Sequence, residues 1–371
     1  MARALMIYAD SDRSMDLFHA IPRAITDPFL YVEHDGRRVA VVGHIDVQTI
    51  HEADPSVEIL DPFALGRKAL LEGGMDYWSV DFEVCARAVA KLGIGEALVS
   101  WDFPAAVADR LRADGVDVLV DHQAFQARRR VKTASQLAGI RRAQRAAELA
   151  MAEAARLVRE ARDGLTAEQV RATMQAVCEE HEATLGDEVI VAVNGQAANG
   201  HDSGSGPIAA GDVVLIDIWP RDKASRCWAD MTRTFVAGGA TPPDELQEYW
   251  SLAREALDAV LAQIRPGVNG RELNGIAAGV FEAAGKPTMR TVQEGSPLPD
   301  SGFLHGLGHG VGLEVHEAPS MGLAGDDLVV GDVIAVEPGC YRKGFGGVRL
   351  EDLVLVTEDG AEVLTEFPYE L

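Results

Sequence analysis

The chain has 371 residues, 47% of them hydrophobic, and carries a formal net charge of -24 at pH 7. This length predicts about two domains, and the acidic balance disfavours nucleic acid and anionic membranes as partners. Because the sequence has neither a long uncharged apolar run nor a signal-peptide core, we expect no membrane segment and a cytoplasmic protein. The four cysteines lie far apart without a CxxC pair, which predicts free thiols.

The first part of the chain, to about residue 127, is typical of a separate α/β unit. Residues 28–43, PFLYVEHDGRRVAVVG, alternate around Asp35-Gly36 and predict a β-hairpin. The stretches FEVCARAVAKLG and PAAVADRLRADG predict short helices ending at glycine, and ALVSW and VDVLVD predict strands. We find no catalytic constellation in this part, so we expect it to be a scaffold or an interface.

A basic run at residues 128–132 interrupts the acidic chain and marks a boundary between domains 1–130 and 131–371. We interpret this run as an exposed linker or as a source of interdomain ion pairs. Beyond it, residues 135–160 have one apolar side and predict a long helix. A second helix is predicted to open at Thr166, with Gln169 completing a capping box.

An internal repeat organises the rest of the chain. The sequence GDVVLIDI at 211–218 recurs as GDVIAVEP at 331–338, which aligns Asp217 with Glu337. Asp230 and Glu351 follow these two acids at nearly equal spacing, and RDGLTAEQ is echoed by RPGVNGRE ahead of each copy. The repeat predicts a duplicated α+β unit, two helices and then strands in each half, with four carboxylates gathered on one face of a curved sheet.

Four neighbouring carboxylates would raise one another's pKa and destabilise the fold unless a cation lay among them, so the repeat predicts a metal site. The stretch HGLGHGVGLEVHE adds His305, His309 and His316. Its glycines predict a broken strand or turn instead of the zinc-binding HExxH helix, and we expect at least one of the three histidines to be a ligand. His201 lies in a turn-rich loop and, taken alone, is interpreted as a surface histidine.

The motifs DIWPRDKASRCWADMTRTF, HGLGHGVGLEVHE, VEPGCY and GGVRLED closely resemble those of the pita-bread metallopeptidases, family M24. The resemblance is to the branch of Xaa-Pro dipeptidases (prolidases) and aminopeptidases P, and it covers about residues 130–371. Residues 1–130 resemble the creatinase-type N-terminal domain of that branch in size and placement. The implied fold is α+β, a C-terminal pita-bread catalytic domain preceded by a smaller creatinase-like α/β domain.

The resemblance also implies a site with two divalent metal ions. Asp230 and Glu351 would bridge these two ions. His201 and His316 would contact the substrate and the developing oxyanion, and Glu337 would also carry a proton. His305 and Arg349 are expected to be substrate-binding residues, with His305 at the pocket wall. Arg349, on the strand face of Glu351, is also expected to steady that carboxylate by an ion pair. The complete ligand set implied by the resemblance is Asp217, Asp230, His309, Glu337 and Glu351.

The implied activity is hydrolysis of Xaa-Pro bonds in a peptide substrate by a metal-bridged hydroxide, in a homodimer. The oxygen-rich ligand set favours manganese first, then cobalt or iron, and is compatible with zinc. The short spacing between Glu337 and Glu351 lacks the insertion of some dipeptide-specific members, so dipeptidase and aminopeptidase activity both stay open. The turn from Asp217 to Asp230 is longer than is usual in the family, which predicts altered substrate entry.

Two other functions are alternatives. One is a non-prolyl M24 hydrolase that acts on amide or amidino substrates. The other is a noncatalytic pita-bread binding module. Because creatinase-type enzymes lack the metal ligands and binding modules usually lose them, the complete ligand set disfavours both.

Overall fold

The computed structural model describes residues 3–200 and 202–371, and its internal contacts divide the chain into two compact units, Met1–Arg129 and Arg130–Leu371. No helix within those described ranges combines the length and the hydrophobicity that a bilayer crossing requires. The cysteines, as their spacing predicts, are free thiols, and all four are buried.

The first unit is built on a six-stranded mixed sheet in the order β4-β3-β2-β1-β5-β6. Its strands are β1 (Ala4–Ala9), β2 (Phe29–His34), β3 (Arg37–Val41), β4 (Glu58–Leu60), β5 (Glu96–Val99) and β6 (Asp117–Val120). Its helices are α1 (Met15–Ala20), α2 (Val47–Ala53), α3 (Arg67–Glu72), α4 (Tyr77–Leu92), α5 (Ala105–Ala113) and α6 (His122–Arg130). Alternate residues of the strands pack against α4 and α5 on one face and against α1, α2 and α6 on the other, which gives three layers.

Local sequence explains the elements of this unit. The predicted hairpin is β2 and β3, and its turn residues Asp35 and Gly36 have φ of 50° and 74°, the left-handed pair that a two-residue hairpin favours. Helix α4 ends at Gly93 in the left-handed conformation, as predicted, but at 16 residues it is longer than the short helix expected. It begins earlier because the Asp76 side chain accepts hydrogen bonds from two backbone N–H groups and caps it.

The second unit contains two pairs of long helices, each pair followed by strands. The helices are α7 (Ala134–Glu160), α8 (Ala167–Glu180), α9 (Asp244–Leu261) and α10 (Gly270–Ala283). The strands of the first half are β7 (Ala183–Thr184), β8 (Ile190–Val193), β9 (Val213–Ile218), β10 (Arg221–Asp222) and β11 (Met231–Val236). Those of the second half are β12 (Ser301–Gly302), β13 (Gly308–Gly310), β14 (Glu317–Met321), β15 (Val333–Val336), β16 (Gly339–Arg342), β17 (Gly346–Arg349), β18 (Asp352–Thr357) and β19 (Gly360–Val363).

The two halves repeat the same arrangement around a central strand. Strand β9 lies between β8 and β11, and β15 lies between β13 and β18 in a five-stranded sheet. Helices α7 and α8 share one apolar core with the first set of strands, and α9 and α10 share another with the second set. The predicted duplication, two helices followed by strands in each half, is therefore confirmed.

The turn that leads into each central strand shows why Gly-Asp recurs in the sequence. Gly211 and Gly331 have φ of 92° and 95°, a backbone conformation that residues other than glycine rarely adopt. The carboxylates of Asp212 and Asp332 then each accept a hydrogen bond from the backbone N–H three residues earlier, at 2.7 and 2.8 Å. Equivalent turns thus start equivalent strands, and those strands lead to Asp217 and Glu337.

The helix starts of the second unit follow the predicted chemistry. Thr166 and Gln169 form the predicted capping box at the start of α8, with hydrogen bonds of 3.1 and 3.3 Å between side chains and backbone. Thr133 and Gln136 form another at the start of α7, the helix predicted over 135–160. Both boxes stabilise helices that cover the first set of strands.

The basic run at 128–132 is not an exposed linker, so that interpretation is wrong. The side chains of Arg129 and Lys132 are only 3% and 2% exposed. Burial of a cation requires a partner, and each cation of the run has an acidic one. The pairs are Arg128–Glu33 and Arg129–Asp16 within the first unit, and Arg130–Asp332 and Lys132–Glu317 within the second.

Candidate metal centre

Each repeat brings two carboxylates to one place in the second unit. Asp217 lies in β9 opposite Thr232 of β11, and Asp230 immediately precedes β11. Glu337 follows the last residue of β15, and Glu351 lies between β17 and β18. Asp217, Asp230 and Glu351 are buried, whereas Glu337 is only partly buried and is the most accessible of the four.

The Thr232 hydroxyl connects the two repeats. Its Oγ1 lies 2.8 Å from Asp217 Oδ1 and 2.6 Å from Glu351 Oε2. A hydroxyl has one proton, so it donates to one carboxylate at a time, and it also accepts a hydrogen bond of 3.0 Å from Arg349 Nε. Asp217 and Glu351 therefore face the same point from opposite halves of the repeat, as the sequence predicts.

His309 completes a group of possible metal-ligating atoms. Its Nε2 lies 3.7 Å from Asp230 Oδ2 and 3.8 Å from Glu337 Oε1. One donor atom each from Asp230, His309 and Glu351 lie within 4.8 Å of one another. His309 lies in the short strand β13, whose register against β14 shifts between His309 and Gly310. This irregular pairing matches the glycine-broken strand predicted for this stretch.

Burial and mutual repulsion make this cluster unfavourable as free anions. Burial, and then the charges of neighbouring acids, raise the pKa of Asp230 and of Glu351 well above their ordinary values. Burial, in spite of the nearby Arg349, raises the pKa of Glu337 to about 7. Burial lowers the pKa of His309 to about 4, so its imidazole is neutral at physiological pH. Crowded carboxyl groups with one neutral imidazole form a donor set that fits divalent cations.

Arg349 pairs with a different acid from the one predicted. Its Nη2 hydrogen-bonds Asp217 Oδ2, and its Nε lies 3.8 Å from Glu337 Oε2. Among the described residues its ion pairs are with these two acids, so the predicted pair with Glu351 is wrong. Strand alternation placed Arg349 and Glu351 on one face, but it does not decide which acid Arg349 pairs with. The long arginine side chain reaches Asp217 on another strand instead. The guanidinium thus links the central acids of both repeats.

Tyr341 belongs to the same network and was not singled out from the sequence. Its Oη lies 3.0 Å from His305 Nε2 and 3.4 Å from Arg349 Nη1, and burial raises the pKa of Tyr341 to about 12. Added Cβ atoms at Gly339 and Gly347 would lie 2.8 Å from Cζ and 2.9 Å from Cγ of its ring. These two glycines were the signal in the sequence that could have pointed to Tyr341, because residues without a side chain leave room for its ring.

The predicted histidines occupy different positions around the cluster. The His316 ring lies edge-on to that of His309, with centroids 4.2 Å apart at 88°, and His316 is exposed. His305 is half-buried and contacts Tyr341, not an acid of the cluster. His201 lies outside the described residues. The structure thus places His309 and His316 together, and it connects His305 to Asp217 through Tyr341 and Arg349.

A duplicated α+β unit with acids from both repeats converging beside a histidine is the architecture of a two-domain metallopeptidase. Residues 138–358 match the model of metallopeptidase family M24, and the chain belongs to that family. The predicted resemblance is thereby confirmed.

Two curated relatives are similar over about half of the chain or less. The Xaa-Pro dipeptidase of Pyrococcus furiosus is 36% identical over 165 residues, 44% of this chain and 42% of the relative. The probable dipeptidase PepE of Mycobacterium tuberculosis strain H37Rv is 34% identical over 190 residues, 50% of this chain and 46% of the relative. The chain thus spans less than half the length of these relatives at this level of similarity.

Solved structures are similar over nearly the whole chain. The X-Pro aminopeptidase of Thermotoga maritima superposes with a TM-score of 0.78 at 23% identity, covering 99% of this chain and 96% of that one. The Xaa-Pro dipeptidase of Bacillus anthracis gives 0.80 at 23% identity, covering 99% and 94%. These likenesses confirm the predicted fold class, a pita-bread C-terminal domain preceded by a smaller N-terminal α/β domain.

Proposed function

We propose that this chain is a dinuclear-metal-dependent peptidase that hydrolyses Xaa-Pro peptide bonds. The observation that carries the proposal is the convergence of four acids and His309 from the two repeats on one buried point. No hydrophobic or structural role accounts for that many mutually repelling carboxylates, whereas divalent cations do. The names of the relatives, which are Xaa-Pro dipeptidases and an X-Pro aminopeptidase, support the same class of reaction.

Five residues would hold the two divalent ions. They are Asp217 and Asp230 from the first repeat and His309, Glu337 and Glu351 from the second. Bound divalent ions lower the pKa of a coordinated water toward roughly 7 and polarise a carbonyl oxygen. Manganese is the first candidate because the donor set is rich in oxygen, with cobalt, iron and zinc as alternatives.

The chain's own residues would move the proton and stabilise charge. Glu337, the most exposed of the four acids, would accept a proton from the attacking water and release it to the leaving nitrogen. His316, exposed beside His309, would donate a hydrogen bond to the carbonyl oxygen as negative charge develops there. His201 would assist His316 in stabilising that charge. Arg349 would hold Asp217 in place, and the Tyr341 and His305 pair would form part of the substrate-binding wall.

The remaining parts of the proposal concern substrate and assembly. The substrate would be a peptide with proline after the scissile bond, and dipeptides and longer peptides are both candidates. The protein would act in the cytoplasm as a homodimer. Residues 1–130 would be the creatinase-like N-terminal domain, with no catalytic side chain of its own.

The test is metal analysis combined with a substrate panel. The full chain, loaded with manganese, is offered Xaa-Pro dipeptides, Xaa-Pro-Yaa tripeptides and matched peptides with alanine in place of proline. We expect two ions per chain and metal-dependent cleavage before proline. Cleavage of the alanine peptides at equal rates would indicate a non-prolyl hydrolase, and bound metal without any hydrolysis would indicate a binding module.

A further inference from the structure

A buried ion pair lies directly beside His316 in the chain. Glu317, the first residue of β14, follows His316, and its Oε1 accepts a hydrogen bond from Lys132 Nζ. The side chains of Lys132 and Glu317 are 2% and 1% exposed, so both charges have left water almost completely. Burial of two ions is costly, and a pair of this kind is weak evidence for stability alone. A positioning role gives it a physical reason.

The carboxylate of Glu317 also closes the turn that leads to His316. Its Oε2 accepts a hydrogen bond of 3.3 Å from Glu314 N, and Gly312 N donates to Glu314 O at 3.0 Å. A Cβ added to Gly312 would lie 2.7 Å from Lys132 Nζ and 2.9 Å from Glu317 Cδ. The last glycine of HGLGHGVG is therefore required so that the lysine and the carboxylate can meet against the backbone.

The other side of this turn is held by the first repeat. Trp228, in the long segment between Asp217 and Asp230, donates from its backbone N to Gly312 O at 2.8 Å. Its indole Nε1 donates to Leu313 O at 3.1 Å. The turn before His316 is thus held at Gly312 and Leu313 by Trp228, and the residue that follows His316 is held by Lys132.

His316 itself is exposed, although the residue that follows it is buried. The position of its imidazole depends on the backbone of the turn and of β14, so bonds that hold this backbone help to place the ring. Its edge-on contact with His309 puts it beside the candidate metal ligands. Small displacements of a group at a reacting centre have large effects on turnover, so the brace around the turn matters for chemistry.

We propose that Lys132 and Glu317 are positioning residues that hold the His316 imidazole at the reacting carbonyl. This inference rests on the proposed peptidase function and extends it to a lysine from the basic run at 128–132. The pair anchors the residue that follows His316 and, through Glu317, the backbone at Glu314, whereas Trp228 holds the backbone at Gly312 and Leu313. Because both side chains are almost fully buried, neither would contact the substrate.

The test replaces both charges together, since removal of one would leave the other buried and unpaired. In Lys132→Met/Glu317→Gln the amide still accepts from Glu314 N, but the bond to residue 132 is lost. We expect kcat to fall about 10- to 100-fold while KM and metal content stay close to wild type. Arg129→Met/Asp16→Asn is the matched control, because it removes another almost fully buried cation of the same run together with its acidic partner in the first unit. It should lower the Tm and leave kcat unchanged.

A double-mutant cycle separates positioning from general damage. In a His316→Ala background the paired substitution should cause no further loss of kcat, since its effect passes through that imidazole. The inference would be overturned if the effects of the paired substitution and of His316→Ala on kcat multiplied in the combined variant. Loss of bound metal, or a wild-type kcat in the paired variant, would overturn it as well. Should the paired variant fail to fold, Trp228→Phe removes only the bond to Leu313 O and should lower kcat several-fold, and an unchanged kcat there also overturns it. Failure of the proposed function is visible separately, as a wild-type chain that cleaves none of the peptides.

Discussion

Thr232 of the first repeat and Glu351 of the second hydrogen-bond each other twice. The Thr232 hydroxyl donates to Glu351 Oε2 at 2.6 Å, and Glu351 N donates to Thr232 O at 3.1 Å. The same hydroxyl accepts from Arg349 Nε and lies 2.8 Å from Asp217 Oδ1. One threonine thus orients acids of both repeats, and residues that orient metal ligands strongly influence metal affinity.

Thr232→Val should therefore weaken metal binding with little change in fold. Valine has nearly the same shape but lacks the hydroxyl that Arg349 Nε, Asp217 Oδ1 and Glu351 Oε2 all contact. We expect affinity for manganese to fall about 10- to 100-fold, as measured by calorimetric titration of the metal-free protein. Thr232→Ser keeps the hydroxyl and is the control. Equal affinities for the two variants would contradict a role of the hydroxyl in orienting these acids.

Asp230 and Glu351, two of the proposed metal ligands, give a second prediction. Asp230→Asn and Glu351→Gln should abolish metal-dependent hydrolysis and reduce the bound metal. The metal-free variants should be at least as stable as metal-free wild type, because each removes a buried carboxylate from a repelling cluster. Metal analysis, peptide hydrolysis and thermal unfolding check these three outcomes. Full activity in either variant would rule out the assigned mechanism.

The features that the sequence predicts here are those encoded by local pattern or by repetition. The repeat GDVVLIDI and GDVIAVEP fixes two equivalent turns and strands, and so it places Asp217 and Glu337 in equivalent positions. The capping box of Thr166 and the hairpin turn at Asp35 depend on neighbouring residues alone. The match to known metallopeptidases supplied the assignment of His316, which local pattern leaves undecided.

The features that were missed depend on long side chains and distant partners. Strand alternation gives the face on which Arg349 lies but not its reach, so its pairing with Asp217 was not predicted. A basic run such as 128–132 is usually solvated, and nothing local indicates that Lys132 meets an acid far along the chain. Tyr341 was missed for a similar reason, because its partners His305 and Arg349 come from different strands and loops.

His316 gives a third prediction, on catalysis apart from metal binding. His316→Ala should lower kcat about 100-fold or more, the usual effect of losing one hydrogen-bond donor to a developing oxyanion. Metal content should stay at the wild-type level, since His316 is not among the proposed ligands. His181→Ala, an exposed histidine at the end of α8, is the control and should leave kcat unchanged. Unchanged turnover in His316→Ala would remove this residue from the catalytic set.

The fourth prediction concerns pH and metal removal. Burial raises the pKa of Glu337 from its ordinary 4.5 to about 7, so the folded metal-free protein holds a proton that the unfolded chain releases. A group with a raised folded pKa stabilises the fold fully below its unfolded pKa, and that stability is lost as pH rises through the folded pKa. The raised pKa values of Asp230 and Glu351 act in the same direction.

Metal-free protein should consequently lose stability as pH rises from about 4.5 to about 7, the window set by Glu337. Metal-loaded protein should show the opposite trend, because cations bind the deprotonated carboxylates and their affinity increases with pH. Thermal unfolding in a chelator and in excess manganese across this range measures both trends. Glutamine does not ionise, so Glu337→Gln should make the stability of the metal-free protein less dependent on pH in this range. A metal-free protein that becomes more stable toward neutral pH would show that the acids are not held as buried neutral groups.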